Sequence, residues 1–263
     1  MRLTIQKAID TIVTSIPGAP FPDTVDVIKI GDANQNLTGI VITFLATCEV
    51  IQQAIQFGAN LIITHEPTFY NHQDSTDWIS HHPTYAAKRR LVEENQLVIW
   101  RFHDYLHSLP PDSTVMGLAQ ALNWESNQSL EQPYMCHIQP MTLLELGQLI
   151  KERLNLPTVR VAGNLAMRCE RVGVLPGFPP AEFQIGSLGE ANVDVLVTGE
   201  IHEWEVSEYV RDATYLGYPK GLIVIGHAAS EEPGLRRMIP WLEERLPGVT
   251  IHFVPTGSPF HQL

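Results

Sequence analysis

Apolar residues recur along this chain in two rhythms, and their alternation lays out a fold before any single residue is weighed. Helical spacing of Ile5, Ala8, Ile9, Ile12 and Val13 predicts a helix over 4–15 that stops before Pro17-Gly18. Apolar runs predict strands at 25–30 and 38–45, joined by the turn-forming segment Gly31-Asp32-Ala33-Asn34-Gln35-Asn36. A helix at 49–58 closes on Gly58 and leads into a strand at 60–64. Residues 67–82 are polar and aromatic without a period, and read as a long loop. Pro83 opens a helix at 83–95, at the first-turn position that its fixed φ and missing N–H suit. A strand at 97–102 and a helix near 113–122 complete this set.

The same order then recurs. A helix is predicted at 142–154, with Thr142 and Glu145 as a capping box. Strands at 158–163 and 171–175, a helix at 180–189, a strand at 193–198, a helix at 203–213, a strand at 221–225 and a helix at 231–246 follow. The segment from Asn123 to Pro140, rich in Gln, Asn, Glu and Pro, reads as a linker. A surplus strand, Val249 to Val254, has no place in the second set and is expected to return to the first sheet. Strands alternating with helices define the α/β class. The pattern implies two similar, interlinked α/β domains from an internal repeat, with mixed sheets flanked by helices. Their expected extents are 1–125 with 221–263, and 126–220.

Composition narrows the partners. At 263 residues and 44% hydrophobic content the chain can bury one large core or two modest ones. A net charge of −12 and a pI near 5.3 argue against nucleic acid or an anionic membrane, since phosphate binding draws on Lys and Arg. The clusters Lys88-Arg89-Arg90 and Arg236-Arg237 read as solvated helix faces. Cys48, Cys136 and Cys169 share no CxxC spacing, which fits a reducing cytosol rather than a disulfide framework. The start, Met1 to Asp10, interleaves charged and apolar residues as an amphipathic helix does, unlike a secretory leader. No stretch approaches the roughly 18 apolar residues of a membrane span. The expectation is a soluble, cytoplasmic protein with a small-molecule substrate.

The candidate chemistry lies where apolar runs end. Leu61-Ile62-Ile63-Thr64 breaks into His65-Glu66, and Val195-Leu196-Val197-Thr198 into Gly199-Glu200. Leu97 to Trp100 leads to His103 and His107, as Leu222 to Gly226 leads to His227 and Glu231. Strand C-termini are where α/β proteins place their sites. His65, Glu66, His103, His107, His227 and Glu231 together supply four imidazoles and two carboxylates. The i,i+4 spacing of 103/107 and 227/231 puts each pair on one side of a helical turn. Such a set exceeds one tetrahedral zinc and suits two divalent ions about 3.5–4 Å apart, expected at the domain interface. Zinc, iron, manganese or nickel would all suit nitrogen and oxygen donors. Asp104 could ligate, orient His103 as an acceptor, or face solvent. Glu200 could line the pocket or serve as a helix-start carboxylate. Both are candidate catalytic residues for proton transfer. His81-His82 read as exposed, and His72, His137, His252 and His261 as structural or surface residues.

At these residues the chain resembles the Nif-three-like family of dinuclear-metal proteins, often labelled GTP cyclohydrolase type I homologues. The resemblance spans essentially the whole chain. It is most specific in Leu61-Ile62-Ile63-Thr64-His65-Glu66-Pro67, in Asp194-Val195-Leu196-Val197-Thr198-Gly199-Glu200 and in the run from Gly226 through His227 and Glu231 to Gly234. The family's usual motifs are His-His-Pro, His-x-x-x-Asp and Gly-His-x-x-x-Glu. Here Glu66 stands where the second His is usual and His107 where the Asp is usual, so the ligand inventory and its charge are unchanged. The resemblance implies a homo-oligomer, a hexamer with metal sites facing an internal cavity. The function expected is a metal-dependent hydrolase: two ions lower the pKa of a shared water for attack on a small molecule such as a nucleotide or cyclic amidine. The alternative is a non-catalytic metal-binding or regulatory assembly protein. The insertion Phe69 to Trp78 could cover the site.

Overall fold

Each apolar run that ends in candidate chemistry becomes a strand buried on both faces. The structure, a computed structural model, describes residues 3–129, 131–190 and 193–261, so Met1 and Arg2 of the amphipathic start lie outside the described residues. The chain runs α1 (Ile5–Thr14), β1 (Ile28–Ile30), β2 (Ile40–Thr43), α2 (Cys48–Phe57), β3 (Leu61–Thr64), α3 (Pro83–Glu94), β4 (Val98–Arg101), α4 (Asp104–His107) and α5 (Ser113–Ala121). It continues through β5 (Met135–Thr142), α6 (Leu143–Arg153), β6 (Arg160–Ala162), β7 (Arg168–Leu175), α7 (Ala181–Glu190) and β8 (Val195–Thr198). The last elements are α8 (Glu208–Tyr215), β9 (Gly221–Val224), α9 (His227–Arg236), α10 (Met238–Arg245) and β10 (Ile251–Phe253).

Contacts divide the chain into one unit of Met1–Ser113 with Leu235–Thr256, and a second of Thr114–Gly234 with Gly257–Leu263. The boundaries differ from those drawn at 125 and 221. Strand β9 is hydrogen-bonded to β8 and belongs with the second unit, and the return to the first begins only at Leu235.

The first unit is built on a sheet of order β1-β4-β3-β2-β10. Strands β10, β2, β3 and β4 are parallel, and β1 runs antiparallel to β4. Every residue of β2, β3 and β4 is buried, as strands covered on both faces require, and each therefore reads as a continuous apolar run. The surplus strand does return to this sheet, pairing Ile251 with Ile40. Helices α2 and α3 supply Val50, Ile51, Ala54 and Val92 to its core. At the end of α2, Gly58 takes the left-handed conformation (φ 68°), which glycine adopts without steric cost.

The second unit carries a sheet of order β5-β7-β8-β9-β6, with β7, β8 and β9 parallel and both edge strands antiparallel. The order β2-β3-β4-β1 thus returns as β7-β8-β9-β6, which is the internal repeat in topological form. The outer neighbour differs: parallel β10 in one sheet, antiparallel β5 in the other.

Three local expectations are corrected. The 123–140 linker contains most of β5, an edge strand paired with β7, where Pro140 is tolerated because edge strands leave N–H groups free of the ladder. The helix expected from 231 starts at His227, and a break between Arg236 and Met238 divides it in two. Lys88 is not solvated: it is buried, and its Nζ donates to the Thr68 carbonyl (2.6 Å). Among the described residues no helix is long and apolar enough to cross a membrane.

Candidate metal centre

In the first unit the donors follow from the parallel register. Thr64 lies beside Arg101, so β3 and β4 end at the same edge and deliver His65, Glu66 and His103 together. His65 N–H still donates to Thr43 O (3.1 Å) and Glu66 N–H to Phe44 O (2.8 Å), which extends the ladder and fixes the backbone there. Beyond β4 the chain must turn sharply to bring His107 back, and buried Asp26 makes it turn. One Asp26 oxygen accepts from His103 N–H (2.7 Å) and Asp104 N–H (3.1 Å), the other from Tyr105 N–H (2.7 Å). A single carboxylate thereby caps the one-turn helix α4. Burial pushes the Asp26 carboxyl above the usual range, against the pull of those hydrogen bonds.

The donor nitrogens of His65, His103 and His107 lie within 4.8 Å of one another. The His65 and His103 rings stack at 4.7 Å, and His107 meets them edgewise at 5.1 and 4.8 Å. Each ring is tethered through Nδ1 to an oxygen: His65 to Phe102 O (3.1 Å), His103 to Asp104 (2.8 Å) and His107 to Asp112 (2.9 Å). An oxygen acceptor places the proton on Nδ1 and leaves the lone pair on Nε2, the arrangement that metal-ligating imidazoles use. Burial first, then the neighbouring His65, pushes His103 down to about 3, so its ring is neutral at pH 7 despite the Asp104 hydrogen bond. The chemistry of this donor set fits a divalent ion.

Asp104 is engaged on both oxygens. Its second oxygen accepts from the Thr24 hydroxyl (2.8 Å) and Val25 N–H (3.0 Å). Of its three sequence-derived roles, the geometry is that of the orienting acceptor. Glu66 sits with one oxygen 3.8 Å from His103 Nε2 and the other 3.6 Å from the Arg101 guanidinium. Arg101 is fully buried; its Nε donates to His65 O (3.1 Å) and its Nη1 to His72 O.

The second unit assembles its own set. His227 Nδ1 donates to Glu200 (3.0 Å), while His227 Nε2 lies 3.3 Å from Glu231 on the next turn of α9. Glu231 is buried against Gly177, where a Cβ would overlap its Oε1; the residue takes φ +74°. Gly199 stands where the first repeat has His65. A side chain there would strike Ser230 Oγ and Gly177 O, so that ligand position is closed by packing. Ser230 itself joins the pieces, accepting from Gly177 N–H (2.9 Å) and donating to His227 O (2.6 Å).

The two copies are also one residue out of step. Phe102 N–H donates to Thr64 O (2.9 Å) and Ile225 N–H to Thr198 O (3.0 Å), which makes these two positions equivalent. Counting on, His103 matches Gly226 and Asp104 matches His227.

Sequence reasoning missed Asp26, Asp112, Arg101 and His72. The one local signal was Asp26, a charge inside the apolar run Val25-Asp26-Val27-Ile28. His72 had been set aside, yet its ring lies 5.7 Å from that of His103. His252 stacks on Phe57 (4.2 Å), as a structural residue does.

Fold and donors together define an α/β protein with His and Glu groups able to hold a metal at strand ends. The chain belongs to the Duf34/NIF3 (NGG1p interacting factor 3) family, whose model matches residues 25–259. A Clostridium perfringens relative named GTP cyclohydrolase 1 type 2 homolog is 25% identical over 228 residues, 83% of either chain. Two solved structures share the fold along the whole of both chains. One is a Staphylococcus aureus hypothetical protein (20% identical, TM-score 0.77) and the other a Bacillus cereus protein related to NIF3 (16% identical, TM-score 0.78).

Proposed function

We propose that this chain binds two divalent metal ions and is a metal-dependent hydrolase of a small molecule. The observation that carries the proposal is the common tether. His65, His103, His107 and His227 each commit Nδ1 to an oxygen acceptor, the tether by which a metal-ligating imidazole is oriented. Glu66 adds a carboxylate to the imidazoles of the first unit and Glu231 one to that of the second, nitrogen and oxygen donors suited to zinc, iron, manganese or nickel. Such ions, when bound, supply Lewis acidity and a water acidified toward neutrality. The chain's own groups do the rest. Asp104 and Glu200 hold His103 and His227 in the ligating tautomer, and these same carboxylates are its candidates for carrying a proton to or from substrate. Arg101 balances the charge of Glu66 behind the donors. The name borne by the Clostridium perfringens relative brings GTP into the substrate panel. Exposed Trp204, Tyr215, Leu216 and Tyr218 on the second unit support self-association, the hexamer being the assembly to test by sedimentation.

Elemental analysis of protein purified without chelators should find close to two divalent ions per chain. A panel of phosphoesters, nucleotides including GTP, and cyclic amides should yield at least one substrate, whose turnover vanishes in Glu231→Gln while the fold survives. Protein free of transition metal defeats the proposal at its base. Full metal content with no turnover of any substrate assigns the chain to the non-catalytic metal-binding class instead.

A further inference from the structure

His72 lies on the loop after β3, and its ring meets that of His103 edge to face at 5.7 Å and 82°. Its Nδ1 is 3.4 Å from Nη2 of Arg101. A guanidinium only donates, so this Nδ1 accepts and the ring proton resides on Nε2. That is the opposite tautomer to His65, His103 and His107. His72 therefore brings an N–H, not a lone pair, to the rim of the cluster. The ring is exposed, and no described residue accepts that N–H.

The loop that carries it is pinned rather than loose. The His72 carbonyl accepts from Arg101 Nη1, and Phe69 N–H donates to Asp74 (2.6 Å). A buried ion pair joins Lys29 to Asp74 (3.4 Å), and buried Lys88 donates to Thr68 O (2.6 Å). Three buried cations and one buried carboxylate thus hold a solvent-facing donor in place beside the proposed ligands. We propose that His72 is a substrate-binding residue whose Nε2–H donates to an oxyanion of the phosphoryl class seated at the donors of the first unit. This rests on the metal-binding reading above. The chain's charge of −12 gives no long-range attraction for an anion, so affinity must come from local groups: the metal and this N–H. A tetrahedral oxyanion has oxygens enough to face a metal and still offer one to the imidazole.

The test uses full-length protein loaded with manganese, its metal content measured first, and inorganic phosphate as the probe in calorimetry. His72→Phe keeps a ring without the N–H, and His72→Gln restores an N–H at a similar reach. Metal content should be equal in all three proteins. Phosphate binding should weaken about tenfold in His72→Phe and recover most of that loss in His72→Gln. Equal phosphate affinity in all three overturns the proposal, as does wild type that holds manganese but not phosphate. Loss of manganese in His72→Phe would make His72 a ligand and also overturns it, and tighter binding of acetate than of phosphate overturns the phosphoryl class. Wild type that holds no metal fails the underlying reading, and elemental analysis shows that before any titration.

Discussion

Lys88 shows how far a residue's environment can depart from its place in a pattern. In Lys88-Arg89-Arg90 it looks like one more surface charge, yet it is buried beneath the 67–82 loop while Arg89 pairs with Glu93 in solvent. Burial pushes its ammonium down to about 8. The sign of the consequence follows from proton counts. Below that value both folded and unfolded chains carry the proton, and the cost of the buried charge is fully present. Between about 8 and the unfolded value near 10.4 the unfolded chain binds more protons, so this group's contribution to stability rises with pH, by up to about 1.4 kcal/mol per unit. Urea midpoints of wild type and Lys88→Met at pH 7.5 and 9.5 check this: wild type should gain relative to the variant, and parallel changes would refute it. The site divides in the same way between what is local and what is not. His65, Glu66, His103, His107, His227 and Glu231 were legible because each follows a buried strand within a few residues. Asp112, Arg101 and His72 were not, since their roles come from what the fold sets beside them.

Elements were legible in proportion to how completely they are buried. The parallel strands β2, β3, β4, β8 and β9 are each four residues with every one buried, and a continuous apolar run announces them. Edge strand β5 buries Met135, Cys136 and Ile138 but exposes His137, Gln139 and Pro140, so composition made it look like a linker. The helix expected from 203 begins as a π-helical turn at Glu203–Ser207, which residue spacing does not distinguish from an α-helix. Capping was readable where it is local: Thr142 and Glu145 form the box that opens α6. It was unreadable where the cap comes from far away, as Asp26 does for α4. Asp26→Ala should cost about 1–3 kcal/mol in chemical denaturation, since backbone donors lose a charged acceptor in a buried place. It should also weaken metal binding, because His103 and His107 lose the turn that aims them. Thr142→Ala, a comparable cap on the other unit, should cost about 1 kcal/mol and leave metal titration unchanged. Equal metal affinity in both variants would remove Asp26 from the site.

At the scale of the whole molecule, the chain order of the two sheets is unequal. All strands of the second sheet are encoded between Met135 and Val224. The first sheet begins at Ile28 and is finished only by β10, whose Ile251 pairs with Ile40 across most of the chain. Thr256 closes that edge further, its hydroxyl accepting from Leu45 N–H (2.9 Å). Chains grow from the N-terminus, and domains commonly fold in that order during synthesis. Here the order is inverted. Until residues 251–253 leave the ribosome, β2 presents an open row of N–H and C=O groups, and an open parallel edge invites pairing with other chains. Nascent chains arrested with residues up to 245 exposed should resist protease within 135–224 and be cut within 28–101; equal protection of both stretches would refute this. The half of the protein made first is the half completed last, and during that interval its β2 edge must be kept from other chains.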